Sequence, residues 1–261
     1  MSNKVVKNLS SSQLDIWQDQ KLFPDSPLYN IGGKISIHGH IDIDVLKEAI
    51  NHLIREDDSL RILFCEHSCE HGSPDPDKKF EVVQYIGDLP IPETLFIDFS
   101  TYENPCVELY HWLNNTFQTP FLLDRESYLF QYAILKESDD LFHLMGKYHH
   151  LISDGFSSKI ISDRISSYYN AIINNDNVQY NPSSYFKYIE FENEYLGSDK
   201  WEKDKNFWDE NISELPISIF EKSYSCSQTK MVEPLNTLPK SNTFRSFIDS
   251  TFYQFLSKFT K

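Results

Sequence analysis

Two histidines in succession, His149 and His150, stand where an alternating apolar stretch runs out. Leu141, His143 and Met145 alternate with Phe142, Leu144 and Gly146, the period-2 pattern of a strand packed on both faces. Adjacent residues at a strand end project to opposite sides, so the two imidazoles cannot do the same job: one faces inward and the other can face a cleft. An imidazole near its unperturbed pKa is well suited to exchange a proton with a nucleophile at neutral pH. Asp154, four residues on, either bonds an imidazole or holds the turn through a partner cation. A buried, hydrogen-bonded histidine pair with a turn aspartate fits the same residues, and the residues alone leave both readings open.

The elements that must position this pair follow from periodicity. Asp154-Gly155 is a turn signal, and after it Ile160, Ile161, Ile165, Tyr168, Tyr169 and Ile172 recur at helical spacing over 156–173. Upstream, a strand over 129–135 and the strand before His149 form a hairpin around Glu137-Ser138-Asp139-Asp140. Earlier still, the pattern predicts a helix over 11–20, a strand over 34–38 and a helix over 43–55. In the latter, Asp44 is the expected amino-cap, and Val45, Leu46, Ala49, Ile50, Leu53 and Ile54 form one apolar stripe. Strands are expected over 60–64 and 80–86, a linker with Pro90, Pro92 and Pro105, and a helix over 107–116. Asn174-Asn175-Asp176-Asn177 punctuates the chain and divides it into 1–176 and 177–261. Beyond that point, helices are expected over 183–195, 199–211 and 243–259, with a polar loop over 224–240.

Composition excludes several classes. With 40% hydrophobic and 15% aromatic residues the chain can build a core, and no stretch reaches the apolar length of a membrane span. A formal charge of -15, from 24 Lys and Arg against 39 Asp and Glu, argues against nucleic acid and anionic membranes. Met1-Ser2-Asn3-Lys4 lacks an apolar signal region, which makes the cytoplasm the expected location and free thiols the expected state of Cys65, Cys69, Cys106 and Cys226. Cys65, His67, Cys69 and His71 crowd one polar run, but their spacing is unlike common zinc patterns, so a solvated loop is expected there and no metal.

His149-His150-x-x-x-Asp154-Gly155 resembles the HHxxxDG signature of condensation domains of nonribosomal peptide synthetases, relatives of the chloramphenicol acetyltransferases. Other segments agree in order. Leu9-Ser10-Ser11-Ser12-Gln13-Leu14-Asp15-Ile16-Trp17 resembles the opening motif, and Ser26 to Ile31 follows as in that family. Arg55 to Phe64 resembles the second motif, RHExLRTxF, with Asp57 in place of the usual His and Asp58 in place of the usual Glu. Pro120 to Phe130 resembles the segment leading into the strand before the signature. Tyr185-Phe186-Lys187-Tyr188-Ile189 and Phe207-Trp208 resemble the aromatic fourth motif.

The resemblance implies an α/β fold, a chloramphenicol acetyltransferase-like two-layer lobe with a mixed sheet covered by helices. It places the amino-terminal lobe in 1–176, and crossover helices with the truncated start of a second, similar lobe in 177–261. An excised piece of a larger synthetase is the expectation. The implied reaction forms an amide between a carrier-bound acyl or peptidyl thioester and a carrier-bound aminoacyl acceptor. Both substrates ride on phosphopantetheine, with no cofactor bound directly, and the implied partners are donor and acceptor carrier domains and an adenylation domain. His150 carries over as the active-site residue, either as general base or as support for the tetrahedral intermediate. His149 is then structural, Asp154 pairs with Arg61 to fix the signature loop, and Gly155 allows a close approach or an unusual dihedral. Two other readings stay open: a stand-alone acyl-coenzyme A acyltransferase of the chloramphenicol acetyltransferase type, and a non-catalytic carrier-docking fragment.

Overall fold

A computed structural model describes residues 5–66, 82–123, 126–177, 180 and 183–212. Met1–Ile212 forms one compact unit. The loop and helix expected over 224–259 lie outside the described residues, as do His67, Cys69 and His71 of the cysteine–histidine run. Cys65 itself is disulfide-bonded, which corrects its reading as a free thiol, whereas Cys106 is free and exposed.

In chain order the elements are β1 (Val6–Asn8), α1 (Ser11–Leu22), β2 (Asn30–His38), α2 (Ile43–Glu56), a 3-10 turn (Ser59–Arg61), β3 (Ile62–Glu66), β4 (Val82–Ile86) and β5 (Leu95–Asp98). Then follow α3 (Pro105–Gln118), β6 (Phe130–Ser138), β7 (Leu141–His149), α4 (Gly155–Asn174), α5 (Tyr185–Tyr195) and α6 (Asp199–Asn211). Four strands make a mixed sheet in the order β2-β7-β6-β5, in which only β5 and β6 run parallel; β1-β4-β3 make a separate antiparallel sheet.

The period-2 alternation of β7 divides the core in two. Leu144 and Tyr148 face a cluster that includes Leu53 and Ile54 of α2 and Ile161, Ile165 and Tyr168 of α4. Met145, with Ala133 and Leu135 of β6, faces Leu109 and Leu113 of α3. Helices therefore cover both faces of the sheet, with β7 buried between them.

Helix α2 is held by its stripe: Leu46, Ala49, Ile50, Leu53 and Ile54 are all buried, each large side chain contributing about 1.5–3 kcal/mol. Its amino-cap is Asp42, not Asp44. The Asp42 carboxylate accepts from the N–H groups of both Asp44 and Val45 at 3.0 Å, satisfying two donors that the helix leaves open. The proline-marked linker conceals β5, whose four residues pair with Ala133 to Lys136 at the sheet edge. Ser59–Arg61 winds as a 3-10 turn, so the strand expected from residue 60 begins at Ile62.

The two carboxylates that depart from the second motif tie separate helices to the end of α2. Arg164 of α4, almost wholly buried, donates from Nη1 to Asp57 at 2.8 Å and lies 3.7 Å from Glu56. Its guanidinium stacks 3.6 Å from the ring centre of Tyr180. Asp58 accepts from the backbone N–H of Tyr185 at 2.9 Å, at the start of α5. Removing the cation strands carboxylates that the fold has partly desolvated. We expect Arg164→Met to cost about 2–3 kcal/mol in urea unfolding followed by tryptophan fluorescence, and Asp57→Asn in that background to restore part of it. A loss below about 1 kcal/mol would place this pair with ordinary surface salt bridges.

Candidate active site

The end of β7 is fixed from three sides. The backbone N–H of His149 donates to the Leu129 carbonyl and that of His150 to the Tyr29 carbonyl, both at 2.9 Å. From α1, the Gln13 side-chain amide donates to the Leu151 carbonyl at 2.9 Å, while Gln13 also completes a capping box with Ser10. Gln13, Trp17 and Gln20 form the buried face of α1.

His149 turns inward and is fully buried. The Leu151 N–H donates to its Nδ1, so Nδ1 holds a lone pair and Nε2 carries the hydrogen that meets Gln20 Oε1; both contacts are 3.2 Å. Gln20 is itself oriented, its amide donating to the carbonyls of Phe23 at 2.8 Å and Ser26 at 3.1 Å. Burial, with the neighbouring His150 ring and the Lys147 ammonium adding to it, pushes the His149 pKa down to about 4.

His150 points the other way and is exposed. Its Nδ1 lies 2.9 Å from the Ser153 carbonyl, which can only accept. In the neutral ring Nδ1 therefore carries the hydrogen and Nε2 keeps its lone pair. The adjacent imidazoles are held in opposite tautomers by backbone and amide partners.

Asp154 is the amino-cap of α4. Its carboxylate accepts from the Ser157 N–H at 2.8 Å and the Ser157 hydroxyl at 2.6 Å, bonds that hold its pKa below the usual carboxylate range. The expected pair with Arg61 is not formed: the open N–H groups at the helix start sit closer and take the carboxylate. Among the described residues Arg61 has no ion-pair partner, and its Nε is buried without a hydrogen bond. Gly155 also departs from expectation. Its φ is not in the left-handed region, and a Cβ there would meet nothing within 4 Å.

Lys147, on the inward side with His149, is a site residue that sequence reading missed. It is buried and has no carboxylate partner among the described residues, donating to the Thr119 carbonyl at 2.6 Å and lying 4.4 Å from the Phe121 ring centre. Desolvation brings its pKa down to about 8. The signals for Gln20 were weak but present: 13, 17 and 20 share one helical face, and two of the three are polar. Among the described residues no group of three or more His, Cys, Asp or Glu could hold a metal ion, and no helix is long and apolar enough to cross a membrane.

A family model described as the condensation domain matches residues 3–248. The chain belongs to the condensation-domain family. It is 29% identical over 222 residues to a dimodular nonribosomal peptide synthase of Bacillus subtilis (strain 168), a match spanning 83% of this chain and 9% of that protein. To enterobactin synthase component F of Escherichia coli O157:H7 it is 26% identical over 212 residues, or 80% of this chain and 15% of that protein. Among solved structures, the starter condensation domain of rhizomide synthetase RzmA superposes with a TM-score of 0.70 at 27% identity, covering 81% of this chain and 51% of that one. The first condensation domain of the CDA synthetase, at 23% identity and a TM-score of 0.68, shares the fold. The chain thus spans about half of the solved condensation domains it matches, and a small part of the curated synthetases.

The depressed pKa of His149 makes a stability prediction. Unfolded, its ring titrates near 6.5; folded, it titrates near 4. Between these values the unfolded chain binds the extra proton, so the stability contributed by the neutral ring is complete above about pH 6.5 and is lost as pH falls toward 4. At pH 5 the loss is about 2 kcal/mol. Urea unfolding at pH 7 and pH 5 should show this component in the native chain and not in His149→Gln; identical pH slopes would contradict it.

Proposed function

We propose that this chain supplies the His-His half of a condensation domain that joins a carrier-bound acyl or peptidyl thioester to a carrier-bound aminoacyl amine. The observation that carries the reading is the tautomer and exposure of His150: Nδ1–H is taken by the Ser153 carbonyl and Nε2 is left as an acceptor on an exposed ring. The amine nitrogen attacks the thioester carbonyl, the C–N bond forms, and the C–S bond breaks. Nε2 accepts the proton that the attacking nitrogen must lose, and the departing thiolate takes up a proton to leave as the thiol. His149 supports the strand end. Asp154 supports the signature turn through α4, with Arg61 near the start of β3 and Gly155 as the first residue of α4.

Both substrates would arrive on phosphopantetheine arms of donor and acceptor carrier domains, with an adenylation domain charging the acceptor. Such a pathway is cytoplasmic. Because solved relatives are about twice the matched length, we propose that the 261 residues alone have little condensation activity. Domains 1–176 and 177–261 then correspond to the amino-terminal lobe and to the crossover with the start of the second.

In the complete synthetase, His150→Ala is expected to lower product formation at least about 100-fold, as loss of a general base does, with the unfolding midpoint unchanged. Asp154→Ala is expected to cost about 1 kcal/mol of stability through the lost cap and to leave most of the activity. A His150→Ala enzyme within about tenfold of the native rate would contradict the base assignment. An Asp154→Ala enzyme that is fully stable yet inactive would contradict the support role.

A further inference from the structure

Two buried glutamines join the small antiparallel sheet to the signature turn. Gln84 lies on β4, the middle strand of that sheet, with Lys7 and Phe64 as its cross-strand partners. Residues directly across a sheet share a face, and the Phe64 ring meets Trp17 of α1 with 5.7 Å between ring centres. Gln84 therefore points at the face of α1 that carries Gln13 and Trp17, and both glutamines are buried. Their amides face each other: Gln84 donates to Gln13 Oε1 at 2.9 Å, and Gln13 donates to Gln84 Oε1 at 3.2 Å. The second hydrogen of each amide goes to a backbone carbonyl, that of Asn8 for Gln84 and that of Leu151 for Gln13, both at 2.9 Å. The Ser10 N–H donates to Gln13 Oε1 at 3.0 Å. A carbonyl only accepts and a backbone N–H only donates, so the main chain fixes the orientation of both amides, and every amide hydrogen is used.

The contact with Leu151 is the one that reaches the histidines. The Leu151 N–H is held by His149 Nδ1 at 3.2 Å and the Ile152 N–H by the His149 carbonyl at 3.1 Å. Gln13 holds the oxygen of the peptide group that joins Leu151 to Ile152. That peptide lies between His150 and the Ser153 carbonyl that accepts its Nδ1–H, so its tilt sets where the acceptor stands relative to the ring. A glutamine side chain can swing about its own bonds. Gln84 stops this one by occupying its acceptor and its other hydrogen. The two amides add little stability as such: replacing both by apolar groups of the same shape is nearly neutral, whereas removing one strands the other in a buried place. What the pair supplies is a fixed direction for the donor at Leu151.

We propose that Gln13 and Gln84 are positioning residues for His150, a buried amide pair that holds the signature turn so that Ser153 keeps the hydrogen on Nδ1 and Nε2 stays open toward the amine. The inference rests on the base role proposed for His150. The variants that test it are Gln84→Leu, Gln13→Leu and the two combined. In urea unfolding of the 261-residue protein, each single change should lower the midpoint, and the double change should recover most of that loss. In nitrogen-15 spectra the neutral His150 ring of the native protein should carry its hydrogen on Nδ1, and in all three variants it should become a mixture of both tautomers. In the complete synthetase all three should lower kcat about 10–100-fold, as a misplaced reacting group does, with KM for the carrier-bound substrates unchanged. A role in folding alone would bring kcat back with the midpoint in the double variant. Either a native kcat or an unchanged His150 tautomer, in Gln84→Leu or in the double variant, would overturn the proposal. The tautomer is read without turnover, so an active His150→Ala synthetase would refute the base role while leaving the tautomer shift intact.

Discussion

A buried, uncharged imidazole fixes the end of β7, and the rest of the site depends on it. His149 accepts from one backbone N–H and donates to Gln20, whose own amide is held by the loop that follows α1. Burying a ring with both nitrogens satisfied avoids the cost of an unpaired polar group, and burying it neutral avoids the cost of a charge. Once His149 is locked inward, strand alternation sends His150 outward. The Ser153 carbonyl then sets which of its nitrogens remains open.

The carboxylates around this centre work through helices. Asp154 starts α4 by capping it, and Arg164, nearly three turns later, ties that helix to Asp57. Helix α4 is thus held at its start and near its middle, while α2 packs beside it. In this chain the substituted second motif, with Asp57 and Asp58, serves as an anchor for α4 and α5. Arg61, which the family pattern would pair with the signature aspartate, keeps its place before β3 without that partner.

Much of this was legible in the sequence. The apolar stripe of α2, the β6–β7 hairpin and the opposed His149 and His150 all follow from periods of 3.6 and 2, and these survive because each faces a packed core. What was not legible depends on contacts between distant segments. The strand β5 is four residues long, sits at an edge and follows two prolines, so its pairing with β6 leaves little local pattern. The shift of the cap of α2 from Asp44 to Asp42 is a choice between two acidic residues two positions apart. Asp154 bonding to its own helix and not to Arg61 reflects competition that spacing cannot rank. The facing of Gly33 and Gly146, 113 positions apart in sequence, arises only once β2 and β7 are in register.

The central claim is that adjacent histidines are held in opposite tautomers. Long-range proton–nitrogen correlation spectra of the histidine rings, recorded near neutral pH on protein labelled with nitrogen-15, read this directly. The account predicts a hydrogen on Nε2 of His149 and, in the neutral ring, on Nδ1 of His150. The same tautomer at both positions, or a charged ring at His149, would contradict it.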